Sequence, residues 1–226
     1  MTRGRFITLE GGEGAGKSTQ IRLLSDALIA CGKKVVLTRE PGGSPGAEEI
    51  RGLLVSGETG RWGPVTEALL HTAARRDHLE RTVWPALEAG HWVICDRFFD
   101  STMAYQGYGH GLGPERIAAL QTLALDGFKP DLTLIMDVPV EVGLRRAAVR
   151  AAGVTGAGGN AEDRYERMDR DFHTRLRDGF LAIAAAEPDR CAVIDADRDM
   201  DAVAADLLAV VEQRLINTSG YPAGQG

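Results

Sequence analysis

The chain has 226 residues, 44% of them hydrophobic, with a formal net charge of −6. That length supports one large domain with a real core, and the acidic balance argues against a general binder of nucleic acid or of anionic membranes. Apolar runs are broken by charge well short of the ~20 residues that span a bilayer, and MTRGRFITLEGG has no apolar signal core, so a cytoplasmic globular protein is expected.

In chain order, Phe6–Glu10 predicts a short buried strand, and 17–31 predicts a helix with Ile21, Leu24 and Leu28 on one face, closed by Gly32 in a left-handed cap. A second strand is expected at 34–38, and Pro41-Gly42-Gly43 breaks the chain before a helix at 47–55. One long helical pattern, with a bend expected at Pro85, covers 66–88. Strands follow at Trp92–Asp96, Leu132–Asp137 and 192–195, with helices at 114–126, 140–150 and 200–215. Strands alternating with helices imply a parallel sheet covered on both faces. Gly153–Asn160 is too rich in glycine to hold regular structure, and 217–226 reads as a frayed polar tail. The three cysteines, Cys31, Cys95 and Cys191, are too few and too scattered for a disulfide framework or a metal cluster, so buried free thiols are expected.

Gly11-Gly12-Glu13-Gly14-Ala15-Gly16-Lys17-Ser18, followed by Thr19, matches G-x-x-x-x-G-K-[ST] between a strand and a helix. Glycines let backbone N–H groups converge on phosphate oxygens, and the helix N-terminus adds unpaired donors. Lys17 supplies a point charge for the β- and γ-phosphates, and Ser18 a hydroxyl for Mg²⁺. The motif therefore points to a nucleoside triphosphate and magnesium, without separating kinases from switches or motors. Asp96-Arg97 closes a strand whose carboxyl end faces this cradle. Arg97 suits a bidentate grip on phosphate and Asp96 a hold on the metal's shell; a plain Asp–Arg ion pair is the alternative.

TREPGG (38–43), EALLHTAAR (67–75), DRFFDSTMAYQG (96–107), PDLTLIMDVPVEVGLRR (130–146) and DRYERM (163–168) keep their order and spacing from about Phe6 to Leu215. Together they resemble the thymidylate kinase family. The resemblance implies an α/β P-loop fold like that of nucleoside monophosphate kinases: a five-stranded parallel sheet, helices on both faces and a flexible lid, here about 147–168 of a single domain 1–216. It also implies transfer of the γ-phosphoryl group of ATP to dTMP, and a homodimer.

Carried over by residue, Glu13 matches the acid that holds the dTMP 3′-OH near the metal, and Arg97 the arginine that holds the acceptor phosphate. Arg75 matches the reader of a thymine carbonyl. Ser101, Thr102 and Gln106 fall where the family meets the nucleotide, Tyr105 where a ring crowds the sugar 2′ position, and Arg51 and Pro41 beside the substrate. A cis bond at Pro41 fits the same resemblance. His71 stands where the family places an aromatic ring on thymine, and an ordinary half-buried helix histidine is the competing reading. Tyr105 as a core aromatic and Thr102 as a helix cap are the alternatives there, and one of Arg75 and Arg76 is expected to be only a solvated charge, the family's spacing favouring Arg75 as the reader.

The acceptor is itself a largely dianionic phosphate at neutral pH, with a second pKa near ~6, so no general base is required and cations are sought instead. With no arginine in the cradle, the resemblance places the further catalytic arginine in the lid. Arg145, Arg146, Arg150, Arg164 and Arg167 are the candidates, Arg150 and Arg164 foremost because they flank the glycine-rich segment. Tyr165 and Glu166 resemble a pair that closes over the substrate, Glu166 toward the metal. The loop at 195–197 resembles the adenine side. Another nucleotide kinase and a non-catalytic P-loop switch are the competing functions.

Overall fold

The computed structural model describes residues 3–56, 58, 60–153, 165 and 168–217. Five parallel strands form one sheet: β1 (Phe6–Glu10), β2 (Val35–Arg39), β3 (Trp92–Asp96), β4 (Leu132–Asp137) and β5 (Cys191–Asp195), in the order β2-β3-β1-β4-β5. β1 is central and wholly buried. Its residues pair with β3 on one side, Leu9 opposite Asp96, and with β4 on the other, Glu10 opposite Ile135. Strand order reverses beside β1, and the crevice at that switch point is where an open parallel sheet takes its ligands.

Helix α1 (Lys17–Ala30) follows β1, and Ile21, Leu24 and Leu28 pack with Ile7, Leu9, Leu134 and Leu207 into the larger core. Gly32, at φ 76°, ends it as expected. Helix α2 spans Pro45–Val55 and α3 Pro64–His78. The long pattern at 66–88 is not one bent α-helix. A π-helical turn at Leu79–Val83 separates α3 from α4 (Trp84–Glu88), and the widened turn precedes Pro85, whose missing N–H cannot complete a regular ladder.

After β3 the chain forms α5 (Phe99–Thr102), running into a π-helical segment at Met103–Gly109, and then α6 (Pro114–Leu125). Helix α7 spans Val140–Gly153 and α8 Arg170–Ala186; after β5, α9 (Met200–Val211) ends in a third π-turn at Glu212–Ile216. The short helix at 99–102 and the 17-residue α8 add to the elements expected from the sequence. The side chain of Asp169 caps α8 by accepting from the Phe172 N–H at 2.7 Å. Phe172, Leu176, Phe180 and Ile183 then pack against Ala104 and Tyr105, so α8 braces the π-segment from behind.

Cys95 and Cys191 are buried free thiols, whereas Cys31 is exposed at the end of α1, against the expectation that all three lie inside. A residue just past the end of an amphipathic helix has no core to face. No helix among the described residues is long and apolar enough to cross a membrane.

Candidate active site

The cradle begins where β1 ends. Gly11 and Gly14 have φ of 134° and 68°, and a Cβ on Gly14 would lie 2.0 Å from the Gly143 carbonyl of α7. Only glycine fits there, because the loop passes directly against α7. Gly16, at φ 88°, opens α1. The Lys17 ammonium folds back onto the carbonyls of Gly11 and Gly12, 3.0 Å from each. Burial and the neighbouring Arg97 cation lower its pKa to about 8, against the opposing pull of Glu13.

One cavity of about 610 Å³ lies beyond the carboxyl ends of β1 and β3. The P-loop lines it from Glu13 to Thr19; opposite lie Pro41, Arg51, His71, Arg75, Arg97, Ser101, Thr102, Tyr105, Gln106, Arg150 and Tyr165. Residues expected on both the donor and the acceptor side thus share one space. Gly11 and Gly12 do not line it; their carbonyls hold Lys17 instead.

Arg97 is the structural centre. Its backbone adopts φ 68°, a left-handed conformation that strains a non-glycine residue by about 1–3 kcal/mol. Its guanidinium donates to Glu13 Oε1 at 2.9 Å, Gly11 O at 3.0 Å and Ser101 Oγ at 3.2 Å, and lies over the Tyr105 ring. The ion-pair partner of Arg97 is therefore Glu13, not the adjacent Asp96. Tyr105 donates its hydroxyl to the same Glu13 oxygen at 2.6 Å, which is not the behaviour of a simple core ring. Burial pushes the Glu13 pKa up, but Arg97, Lys17 and the Tyr105 hydroxyl outweigh it and bring it down to about 2.

Ser18 donates to Asp96 Oδ2 at 3.2 Å, while Asp96 Oδ1 is buried without a hydrogen-bond partner among the described residues. An unsatisfied carboxylate oxygen beside a hydroxyl is a donor set of the hard-oxygen kind that suits Mg²⁺. Glu166 lies outside the described residues, as do Arg164 and Arg167. Of the described lid arginines, Arg150 lines the cavity. Arg146 instead donates to Ala196 O at 2.9 Å and to Asp197 at 3.2 Å, which ties α7 to the loop after β5.

The far end of the cavity is built on α3. Arg75 is buried, donates to Glu40 Oε2 at 2.7 Å, to Thr102 Oγ1 at 2.9 Å and to Phe98 O at 3.1 Å, and keeps Nη1 without a partner. Arg76 points the other way, onto Glu80 and Asp126 over Trp84. That settles which of the two is the surface charge. Thr102 caps no helix and serves Arg75 instead. Pro41 is cis after Glu40, and its carbonyl accepts from Arg51 at 2.6 Å. His71 Nε2 lies 3.3 Å from the Tyr165 hydroxyl, which donates to Glu67 Oε1 at 2.6 Å; Gln106 Nε2 donates to the same oxygen at 2.7 Å.

Three buried acids in and around this site escaped the sequence reading: Glu10, Glu40 and Glu67. Each is at most 5% exposed. Spacing carried a signal for Glu67, which precedes His71 and Arg75 by one and two helical turns on the same face. For Glu40 there was none, because the burial of Arg75 that calls for its counter-charge is set by the fold.

A family model described as thymidylate kinase matches residues 9–207. The chain is 59% identical to a thymidylate kinase of Caulobacter vibrioides, over 95% of this chain and 99% of that one. It is 53% identical to a thymidylate kinase of Nitrobacter winogradskyi, over 95% and 90%. A crystal structure of thymidylate kinase from Ehrlichia chaffeensis superposes with a TM-score of 0.72 at 35% identity, covering 92% of this chain and 99% of that one. With the phosphate cradle opening into that cavity, these likenesses show that the chain belongs to the thymidylate kinase family, and its activity is the ATP-dependent phosphorylation of dTMP to dTDP.

Proposed function

We propose that ATP and dTMP occupy the two ends of the one cavity, with the transferred phosphoryl group between Lys17 and Arg97. The observation that carries this reading is the position of Arg97. It leaves the carboxyl end of β3 in a strained turn and enters the same cavity as the Lys17 cradle. The P-loop amides from Glu13 to Thr19 and the Lys17 ammonium take the β- and γ-phosphates of ATP. Arg97 takes the acceptor phosphate, with Ser101 and Arg51 beside it. Glu13, kept ionised, accepts from the dTMP 3′-OH. Tyr105 closes the sugar pocket, and His71, Arg75, Thr102, Gln106 and Tyr165 surround the base. Arg150, with Arg164 beyond the described residues, supplies cationic charge from the lid as the phosphoryl group moves. No residue has to remove a proton, since the attacking oxygen is already ionised near neutral pH.

Ser18 and Asp96, with Glu166, would hold Mg²⁺. When bound, the ion neutralises charge on the donor phosphates. The domain is taken as 1–216, a cytoplasmic enzyme that pairs as a homodimer. The exposed Val65 and Leu69 of α3 and Leu123 of α6, the last 81% exposed, are the apolar groups that support pairing.

Calorimetric titration of two variants tests the assignment of the two ends. Lys17→Ala should lose most of its ATP affinity and keep dTMP binding within about threefold. Arg75→Lys keeps the charge and loses the planar fork, so discrimination of dTMP over dCMP should fall about tenfold. Equal losses for both nucleotides in either variant would contradict the separation.

A further inference from the structure

Glu10 is the last residue of β1, fully buried, and takes no direct part in the site described above. Its hydrogen-bond partners are neutral: Oε1 accepts from the Phe98 N–H at 2.7 Å, and Oε2 accepts from the Ser101 hydroxyl at 2.5 Å. Both partners belong to the turn that carries Arg97. Phe98 N–H is the amide immediately after the left-handed residue. Ser101 Oγ in turn accepts from Arg97 Nη1. One carboxylate therefore holds the Arg97 backbone through one oxygen and the Arg97 guanidinium through the other.

As a device for stability this is a poor choice. A buried carboxylate without a directly bonded cation is expensive, and an amide or an apolar side chain of the same size would fill the space at lower cost. The charged groups around it include Arg97, Lys17 and Asp100, with the Cys95 thiol of β3 also within reach of its charge, and Asp100 is already engaged by Arg190 at 2.7 and 2.9 Å. Burial and the like charge of Asp100 raise the Glu10 pKa to about 7, against the pull of Ser101, Arg97 and the Phe98 amide. Holding an acid there has a geometric consequence that an amide cannot reproduce. An ionised carboxylate accepts at both oxygens, so the Ser101 hydroxyl donates to it and keeps its lone pairs for Arg97 Nη1; glutamine, accepting from Phe98 N–H, would instead donate its NH₂ to Ser101 Oγ, in competition with Arg97.

We propose that Glu10 is a positioning residue for phosphoryl transfer: by accepting from Phe98 N–H and Ser101 Oγ it fixes the strained turn that aims Arg97 at the acceptor phosphate. The proposal rests on the reading of Arg97 given above, and Arg97→Ala tests that reading separately. In Glu10→Gln, kcat/KM for dTMP should fall about tenfold or more while KM for ATP stays within about twofold. The thermal midpoint at pH 8 should stay level or rise, since a costly buried charge has been removed. In an Arg97→Ala background the same change should alter kcat/KM for dTMP by less than about twofold, because the group being aimed is gone.

Three results would overturn the proposal, each placing Glu10 in the core alone: unchanged dTMP kinetics, equal losses toward both substrates, or turnover and thermal midpoint falling together. If instead Arg97→Ala itself leaves dTMP turnover intact, the reading of Arg97 fails and not merely its positioning.

Discussion

The Arg97 guanidinium makes three hydrogen bonds and lies over an aromatic ring, and the residue holds a backbone conformation that most residues avoid. Strain of that kind persists only where surrounding contacts over-determine it. Here Glu13, Gly11, Ser101 and the Leu9 carbonyl, which accepts from the Arg97 N–H at 3.0 Å, supply those contacts. A different balance governs Arg75, whose buried pairing with Glu40 is shared by His78 Nδ1 at 2.9 Å. Arg75→Ala leaves that carboxylate with a histidine alone, and thermal unfolding should register a loss of about 3–5 kcal/mol. His71 is a milder case. Its contact with Tyr165 is long at 3.3 Å, so His71→Phe, which keeps a ring at the cavity wall, should change KM for dTMP by less than about fivefold. Such distinctions were only half legible in the sequence. Arg75 and Arg76 are adjacent and chemically identical; the family's spacing favoured Arg75, and the face of α3 supplies the physical reason, burying Arg75 and leaving Arg76 at the surface.

At the scale of elements, the five strands and most helices follow from the alternation of short apolar runs with 3.6-residue patterns, and most ends fall within two residues of expectation; α7 instead runs three residues further, to Gly153, the first residue of the segment expected to be irregular, and α9 gives way to a π-turn at 212, short of 215. The differences have physical causes. The π-turns at 79–83 and 103–109 arise from an extra residue inside a helix, which leaves no mark in composition. The second of them carries Tyr105 and Gln106 into the cavity. Helix α8 was legible in principle, since Asp169 caps it and Phe172, Leu176, Phe180 and Ile183 recur at helical spacing. Glu10 and Glu40 could not be placed from sequence, because what gives them roles is the juxtaposition of β1, β3, α3 and the turns after them. The P-loop shows the converse, a short motif whose geometry is fixed by one neighbour. Gly14→Ala would drive a methyl group to 2.0 Å from the Gly143 carbonyl in a left-handed backbone. It should lower ATP affinity by about tenfold or more, read by calorimetric titration.

Across the whole molecule, charge buried beneath the active site ties the sheet to its surface chemistry. Arg190, between α8 and β5, donates to Asp100 in α5, to Thr133 of β4 and to Glu187. The buried ends of the sheet thereby hold the same turn that presents Arg97. Replacing Arg190 with alanine strands Asp100, which is 0% exposed, and should cost about 3–5 kcal/mol in denaturant unfolding. Glu10 gives a pH dependence of determinate sign. Its folded pKa of about 7 lies above the ordinary carboxylate value. Its stabilising contribution is therefore complete below the unfolded pKa and lost as pH rises through 7. Relative to Glu10→Gln, wild-type stability should fall with pH over that window at up to about 1.4 kcal/mol per pH unit.

The central claim is that one cavity joins the Lys17 cradle to an acceptor phosphate held by Arg97. The measurement that reaches it most directly is dTDP formation from ATP and dTMP by wild type and Arg97→Ala, with ATP affinity determined in parallel. Arg97→Ala should lose about 100-fold or more in kcat/KM for dTMP, with ATP affinity within about twofold of wild type. Unimpaired dTDP formation by Arg97→Ala would contradict that claim and move the acceptor phosphate elsewhere in the cavity.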